Sequence, residues 1–289
     1  MIIWYKGEII MLQVRNEYNK LTKVLVASVD TFRLHEPINS TQEFFYKNDP
    51  PVLSKMIEEQ KVFVKTLEQY GVEVVWADRR EDCTNQVNTR DVAFVVGNIF
   101  VVSPMKKEER KNEHYALETL ISSFSSDDKV LRPQNGYIEG GDIILDEDTL
   151  YVGISQRTND EGLQWLIKTF SSEFNVVPIY LNNSFLHLDC VFNLLSTSDA
   201  LVLEAGIRED SLNLIINRYN TIFAEQSEQA NLPTNVFSVD PTTVIADARN
   251  VLTNERLRNC GKNVIELDYS ESSKIGGSFR CSTCPLRRE

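Results

Sequence analysis

Long apolar runs are missing from the 289-residue sequence, and this absence argues against a membrane-spanning protein. No stretch approaches the ~20 consecutive apolar residues that are needed to span a bilayer, so we expect no membrane partner. The apolar start of the chain is shorter, contains Glu8 and lacks a small-residue cleavage site, so it does not fit a signal peptide. We interpret residues 1–12 as an N-terminal extension, with Met11 as a candidate natural start, ahead of a single catalytic domain over residues 13–289.

Positive charge is also scarce, with 30 lysines and arginines against 42 aspartates and glutamates, a formal net charge of -12. A surface of that sign repels phosphate backbones, so nucleic acid is not an expected partner and a small cationic substrate is favoured. The cysteines are odd in number, which predicts free thiols in a reducing, cytoplasmic setting rather than a disulfide framework. They are Cys83, Cys190, Cys260, Cys281 and Cys284.

A weak internal repeat runs through the chain. Asp91, Asp142 and Asp189 each open a unit of two short apolar strands and a helix, at intervals of about 50 residues, which is typical of repeat folds. A fourth unit begins near residue 242, and an N-terminal strand–helix–strand brings the number to about five. Units of this size must pack against their neighbours, so five around an axis predict an α/β fold, a closed five-bladed ββαβ propeller. Periodicity alone leaves an ordinary open α/β sheet as an equal alternative.

Local patterns predict the position of several individual turns, helices and strands. We predict a hairpin turn at Gly97-Asn98, a helix over 160–170 and a strand over 175–180. In the last unit we predict strands over 244–246 and 251–252, a helix over 254–260 and a strand over 264–267. Residues 31–48, which include His35, are predicted to be a long loop. Either a lid over a site or a packed surface loop fits this segment.

Histidine is the scarcest residue that can transfer protons near neutral pH, with three in the chain. His187 and Asp189 are two residues apart at the start of an apolar strand, so their side chains are expected on the same side. A histidine beside a carboxylate suits a general base. From this motif alone, a buried structural pair is the slightly stronger interpretation.

Two polar segments also precede strands. Glu139-Gly-Gly-Asp142 combines carboxylates with glycines that allow close approach of the backbone to a ligand, although a plain turn explains it as well. Asn85 to Asp91 forms a polar cluster that also fits a simple loop.

The sharpest signal lies near the C-terminus, in Gly276-Gly-Ser-Phe-Arg-Cys281-Ser-Thr-Cys284. A thiol beside a cation and after two glycines can act as a thiolate nucleophile. Redox chemistry at the Cys281–Cys284 pair is disfavoured because no helical pattern follows it. A zinc site is disfavoured because no second cysteine pair has ligand spacing.

In order along the chain, these motifs resemble the guanidine-modifying superfamily of arginine deiminases, dimethylarginine dimethylaminohydrolases and amidinotransferases. The resemblance extends from about Tyr18 to Arg287. It rests on Thr89-Arg-Asp91, Glu139-Gly-Gly-Asp142, Gly153–Asn159, His187-Leu-Asp189 and Gly276–Cys281. It implies the pentein fold, which is a five-bladed ββαβ propeller.

The resemblance also implies a set of roles. Cys281 would be the nucleophile, His187 the acid and base with Glu139 beside it, and Asp91 and Asp189 the clamp on the guanidinium. The implied substrate contacts are Asn85, Arg110, Arg157 and Arg280. Arg110 and Arg157 would bind a substrate carboxylate, although pairing with a carboxylate such as Glu113 or Asp160 remains an alternative. No metal or cofactor is expected, and a homodimer is left open.

The reaction implied is hydrolysis of an arginine-like guanidinium through a covalent thiouronium, giving a ureido product and ammonia or amine. Asp189 favours a deiminase-like clamp, and Glu139 favours hydrolysis over amidino transfer, which remains the alternative. Ile275 and Asn88 depart from the arginine deiminase pattern, so the substrate could be arginine, a methylated arginine or another guanidino or ureido compound. A non-catalytic propeller that binds a partner is the remaining alternative, since fold alone does not decide function.

Overall fold

The computed structural model describes residues 9–289, so most of the proposed extension lies outside the described residues. Its described end is packed: Ile10 and Leu12 are buried in the largest hydrophobic cluster. The strands are β1 (Leu21–Val26), β2 (Glu73–Trp76), β3 (Ala93–Val96), β4 (Ile99–Val102), β5 (Lys129–Leu131), β6 (Ile143–Asp146), β7 (Thr149–Ile154), β8 (Asn175–Tyr180), β9 (Phe192–Leu194), β10 (Asp199–Val202), β11 (Asn220–Phe223), β12 (Phe237–Ser238), β13 (Thr243–Asp247), β14 (Asn263–Leu267) and β15 (Cys284–Arg288).

Helices and helical turns connect these strands. The α-helices are α1 (Ser40–Asn48), α2 (Leu53–Gln69), α3 (Thr89–Val92), α4 (Glu118–Ile121), α5 (Asp160–Phe170), α6 (Glu209–Ile216) and α7 (Val251–Asn259). The 3-10 turns are Val29–Thr31, Glu108–Leu117, Gly140–Asp142, Leu188–Cys190, Glu204–Gly206, Gln226–Asn231 and Ser272–Ile275. No described helix is long and apolar enough to cross a membrane.

The strands form five three-stranded sheets, ordered β15-β1-β2, β3-β4-β5, β6-β7-β8, β9-β10-β11 and β12-β13-β14. In each sheet the first two strands are antiparallel, and the third is parallel to the second after a helical crossover. This is the predicted ββαβ blade, so the prediction of a five-bladed pentein propeller is confirmed. β15 is the first strand of the sheet β15-β1-β2 and pairs with β1. This pairing joins the last described strand to the first and closes the ring.

The elements with the clearest patterns lie where they were predicted. α5 matches the predicted range because Leu163, Leu166 and Phe170 are buried on one face and the Asn159 side chain caps its first turn. The predicted strand 175–180 is β8, and the hairpin turn at Gly97-Asn98 joins β3 to β4.

Other predictions were wrong. Residues 251–252 begin helix α7 instead of forming a strand, and both side chains are exposed on its first turn. The real first strand of that blade, β12, has two residues, too few for a periodic signal. The predicted loop 31–48 ends in helix α1, whose Asn39 cap accepts from the Gln42 amide. The prediction of free thiols is confirmed, since none of the five cysteines is in a disulfide.

Candidate active site

Three blades present an aspartate at the same structural position. Asp91 lies in α3, Asp142 in the 3-10 turn Gly140–Asp142 and Asp189 in the 3-10 turn Leu188–Cys190, and each turn leads into the first strand of a blade. Glu139 and His187 are the cap residues before the second and third turns. The repeat itself therefore brings these polar residues to one end of the propeller, where all five are buried.

Cys281 lies among them with a buried thiol. Its Sγ is 3.5 Å from Asp189 Oδ2. The Asn235 amide holds the same residue twice: its Nδ2 donates to Cys281 Sγ at 3.2 Å, and its Oδ1 accepts from the Cys281 backbone N–H at 3.1 Å. A Cβ on Gly277 would lie 2.8 Å from Cys281 Cβ, so only glycine allows this close packing of the loop.

His187 lies between the carboxylates of Glu139 and Asp91. Its Nε2 is 2.8 Å from Glu139 Oε2, and its Nδ1 is 3.6 Å from Asp91 Oδ1. Within residues 9–289, neither His187 Nδ1 nor Asp91 Oδ1 has a hydrogen-bond partner, although both are buried. A Cβ on Gly141 would lie 2.8 Å from Asp91 Oδ1 and 2.9 Å from His187 Nδ1. Asp91 Oδ1 and His187 Nδ1 are thus both buried without a partner among the described residues. They lie next to Gly141, which has no side chain to cover them.

The charges around His187 set its protonation. Burial alone would lower the pKa of His187, but Asp91, the hydrogen bond with Glu139 and the charge of Asp142 outweigh burial and raise it to about 9. Burial opposes ionisation of Glu139, yet His187, Arg157 and Arg110 together hold the Glu139 pKa below its usual value. Burial, and then Asp189, raise the pKa of the Cys281 thiol well above its usual value. These shifts correspond to an imidazolium at His187 and a thiol at Cys281 at neutral pH.

This assignment predicts a pH-dependent contribution to stability. The pKa of His187 rises from 6.5 to about 9 on folding, so protonated His187 stabilises the fold fully below pH 6.5. That contribution should be lost as pH rises through about 9. Denaturant unfolding of wild type and of His187→Gln should show a stability difference that narrows between pH 6.5 and 9. A difference that stays constant over this range would mean that His187 is neutral in the folded protein.

Arg110 and Arg280, two of the predicted substrate contacts, pair with protein carboxylates in the structure. Arg110 Nη1 is 2.5 Å from Asp91 Oδ2, and its Nε and Nη2 donate to Glu113. Pairing with Glu113 was the alternative left open by the sequence, although the pair is buried instead of exposed. Arg280 Nη1 donates to Asp189 Oδ2, and Arg280 Nη2 is 3.1 Å from Glu17. Arg110 thus binds Asp91 Oδ2, and Arg280 binds Asp189 Oδ2, the oxygen that also lies 3.5 Å from Cys281 Sγ.

Arg157 and Asn85 lie between the site and the segment 31–48. Arg157 Nη1 is 3.3 Å from Glu139 Oε2, and its Nη2 donates to the Ile38 carbonyl, so it does not pair with Asp160. Asn85 accepts from Gln42 Nε2, and its own Nδ2 is 3.0 Å from His35 Nε2. The segment is therefore tied to the site by hydrogen bonds, as a lid would be.

Some residues of the site gave little signal in the sequence. Asn235 stands in Asn231-Leu-Pro-Thr-Asn235, which resembles an ordinary loop, and the short β12 concealed the blade that positions it. Glu17 was missed because nothing in the sequence links it to the carboxylate-rich turns, and Glu113 was named only as an alternative partner of Arg110. The blade register offers a retrospective signal: Asn235 stands two residues before β12, as Asp91 stands two residues before β3.

Asn235 is expected to stabilise the Cys281 thiolate. A hydrogen bond to a charged group contributes about 1.5–3 kcal/mol, so Asn235→Ala should raise the apparent pKa of the thiol by about 1 to 2. The measurement is the pH dependence of Cys281 alkylation by iodoacetamide. Asn193→Ala is the matched control, because buried Asn193 donates to the Thr234 and Val236 carbonyls on either side of Asn235 without contacting sulphur. Equal alkylation profiles in both variants would reduce Asn235 to a loop-positioning residue.

A divalent cation is one further ligand to consider. Ligand atoms of Asp91, Glu139 and His187 lie within 4.8 Å of one another. However, Arg110 and Arg157 already pair with the two carboxylates, and His187 Nε2 is taken by Glu139. Asp91, Glu139 and His187 are therefore a poor metal site, because arginine side chains already neutralise the two carboxylates.

Comparisons with known proteins agree with the propeller fold. The amidinotransferase SxtG of Microseira wollei superposes with a TM-score of 0.84 and 20% identity, covering 96% of this chain and 97% of SxtG. The N-terminal domain of ArgZ, a cyanobacterial arginine dihydrolase, gives a TM-score of 0.83 at 22% identity, covering 93% and 98%. These likenesses establish the fold. With the arginine deiminase relatives below, they confirm the resemblance to the guanidine-modifying pentein superfamily.

Sequence comparisons identify the family to which the chain belongs. A model of the family described as N,N dimethylarginine dimethylhydrolase, eukaryotic, matches residues 30–288, and the chain belongs to that family. YkgA of Bacillus subtilis (strain 168) is 38% identical over 276 residues, 95% of this chain and 94% of YkgA. The arginine deiminase of Pediococcus pentosaceus is 25% identical and covers 87% of this chain and 74% of that enzyme. At this level the protein is a guanidine-modifying enzyme whose relatives include hydrolases.

Proposed function

We propose that the protein hydrolyses a C–N bond in the guanidinium group of arginine or an arginine derivative. The products are a ureido compound and ammonia or an amine. The observation that carries this proposal is the position of the buried Cys281 thiol, 3.5 Å from Asp189, in a site where Asp91 Oδ1 and His187 Nδ1 are both open. This site offers a nucleophile, an acid and two carboxylates to one planar cation.

A guanidinium fits the charge and the hydrogen-bond pattern of the site. It presents paired N–H donors in a fixed plane, and each carboxylate can accept a pair of them. Asp91 and Asp189 keep their orientation because Arg110 and Arg280 each bind one oxygen, Oδ2, of these carboxylates. Because all these groups are buried, the attraction for a bound cation is stronger than it would be at the surface. A substrate cation would thus supply the positive charge that the thiolate needs.

The proposed reaction begins when the bound cation favours transfer of the Cys281 proton to solvent water. The thiolate then attacks the central guanidinium carbon and forms an S–C bond. His187, protonated at neutral pH, gives its proton to the departing nitrogen as the C–N bond breaks. Neutral ammonia or amine leaves, and a thiouronium remains on Cys281.

Hydrolysis completes the cycle. His187, now neutral, takes a proton from a water molecule, and the resulting hydroxide attacks the thiouronium carbon. The S–C bond breaks, the hydroxyl proton of the tetrahedral intermediate passes to the departing Cys281 sulphur, and the ureido product is released with Cys281 again a thiol. Glu139 stabilises the imidazolium in both steps through its 2.8 Å contact with His187 Nε2. The lid contacts of Arg157 with Ile38 and of Gln42 with Asn85 would exclude bulk water before attack.

The test is a substrate panel assayed with the purified protein. L-arginine, monomethylarginine, asymmetric dimethylarginine and agmatine are supplied separately, and ammonia, amine and ureido product are quantified. The proposal expects a ureido product in equal amount to the released ammonia or amine. Addition of ornithine or glycine as acceptor distinguishes transfer, which would yield a new guanidino compound without ureido product. Absence of any turnover across the panel would contradict the proposal.

Arg157 is expected to set the preference for an α-carboxylate. Its Nη1 contacts to Glu139 are long, at 3.3 and 3.4 Å, so the guanidinium can turn toward a substrate carboxylate. Wild type should prefer arginine over agmatine, which lacks that group. Arg157→Ala should weaken arginine turnover by roughly 10- to 100-fold, since a charge-assisted hydrogen bond contributes about 1.5–3 kcal/mol, and agmatine should change little. Equal loss with both substrates would show that Arg157 only holds Glu139 and the lid.

A further inference from the structure

Three arginines lie near one buried glutamate: two are within 4 Å of its carboxylate oxygens, and the charge of the third also acts on it. They are Arg90 in α3, Arg280 beside Cys281 and Arg288 at the end of β15, around Glu17, which precedes β1. Each of the four is at most 4% exposed. We refer to these four residues as the axial cluster. The Arg90 backbone N–H donates to the Cys281 carbonyl, so the cluster adjoins the floor of the site.

The carboxylates near the axial cluster do not balance its charge. Glu17 Oε1 is 3.1 Å from Arg280 Nη2, and Glu17 Oε2 is 3.7 Å from Arg90 Nη1. Arg280 also pairs with Asp189 at 2.9 Å. Within residues 9–289, Arg288 donates to the backbone carbonyls of Asn19 and Ser238, and its guanidinium lies over the Phe237 ring without a carboxylate partner. Three guanidinium groups thus share two carboxylates, which leaves one positive charge in excess.

The cluster also has hydrogen-bond donors to spare. Within the described part of the chain, Arg90 Nε, Arg90 Nη2, Arg280 Nε and Arg288 Nε are buried without an acceptor. Unsatisfied donors on buried charged groups are strongly destabilising, and native structures rarely leave them. Burial, together with the charges of Arg90 and Arg280, lowers the pKa of Arg288 to about 9 despite the opposing charge of Glu17. An anion that accepts hydrogen bonds would satisfy the open donors and would offset the excess positive charge.

We infer that the axial cluster binds one small monovalent anion of the halide class, held by the open N–H groups of Arg90, Arg280 and Arg288. One negative charge would bring the cluster with its two carboxylates to neutrality. The burial of all three arginines excludes a bulky organic anion. By fixing Arg280, the anion would also hold Asp189 in place beside Cys281. This site lies outside the proposed chemistry and does not depend on which guanidino compound is the substrate.

Crystals grown with bromide as the only halide test the site directly. The expected result is an anomalous bromide peak within about 3.5 Å of the arginine Nε atoms, a distance typical of a halide–guanidinium contact and slightly longer than N–H···O bonds. Anomalously silent, water-like density on the same nitrogens would overturn the proposal and show that water satisfies the donors.

Thermal unfolding in solution provides the second measurement. At constant ionic strength, chloride replacing gluconate should raise the melting temperature, by roughly 3 °C per tenfold increase in chloride above the dissociation constant. Arg288→Met should lose this dependence. Arg287→Met is the matched control, because Arg287 is partly exposed and pairs with Glu289 at the surface, and it should keep the dependence. If Arg288→Met does not fold, the wild-type bromide data decide alone. Equal melting temperatures in chloride and gluconate would count against the site.

Discussion

Replacing Cys281 by serine should abolish turnover, with kcat/KM falling by roughly 1,000-fold or more on every guanidino substrate that wild type accepts. An alcohol remains protonated near neutral pH and is a far poorer nucleophile than a thiolate. The environment would not rescue it, because burial and Asp189 already disfavour a negative charge at this position. The measurement is initial rate of ureido product formation, with folding checked by circular dichroism.

Cys284→Ser is the matched control for that experiment. Cys284 begins β15, is buried in the largest hydrophobic cluster and lies three residues from Cys281. Its Sγ has only a weak contact with the Pro285 carbonyl, at 3.9 Å. The variant is expected to lose some stability and to keep most of its activity. If Cys284→Ser were inactive and Cys281→Ser active, the nucleophile would be wrongly assigned.

The convergence of the acidic turns could be predicted from the sequence because it follows from the repeat. Once Asp91, Asp142 and Asp189 are assigned to equivalent positions, closure of the ring brings them to the same end of the axis. His187 and Glu139 precede two of these turns, so their position follows as well. Cys281 was found by local chemistry, since glycines and a cation beside a thiol are informative without any contact information.

The direction of the arginines could not be predicted in this way. Arg110 turns to Glu113 and Arg280 to Glu17, and both partners come from segments without motifs. A guanidinium on a flexible side chain chooses among several carboxylates, and the choice depends on packing distances that periodicity does not encode. The same limit applies to β12, whose two residues are placed by pairing with β13 and not by local preference.

The three equivalent aspartates have different surroundings, and this divides their functions. Asp142 Oδ1 accepts from the Leu188 backbone N–H, and its Oδ2 accepts from the Ser155 hydroxyl. Burial raises its pKa to about 7, so it is partly protonated near neutral pH. Asp142 therefore orients the turn that carries His187. Asp91 and Asp189 instead pair with arginines and face the proposed substrate.

Asp189→Asn should lower kcat/KM by roughly 30- to 5,000-fold while the protein stays folded. The change keeps the shape of the side chain but removes the charge that would accept substrate N–H groups. Loss of one partner of a buried charged hydrogen bond typically costs about 2–5 kcal/mol, which gives that range. Because Arg280 also loses its partner, the melting temperature is recorded alongside the kinetics.

Asp142→Asn separates the clamp from the turn. It makes the same chemical change at the equivalent position of the neighbouring blade, where the carboxylate touches the Leu188 backbone and Ser155 instead of the thiol. An asparagine oxygen can still accept from Leu188, so the turn that carries His187 keeps that hydrogen bond. Its kcat/KM should therefore fall less than tenfold. If Asp189→Asn and Asp142→Asn had equal effects on kcat/KM, Asp189 would be only a positioning residue, and the guanidinium clamp would need a different second carboxylate.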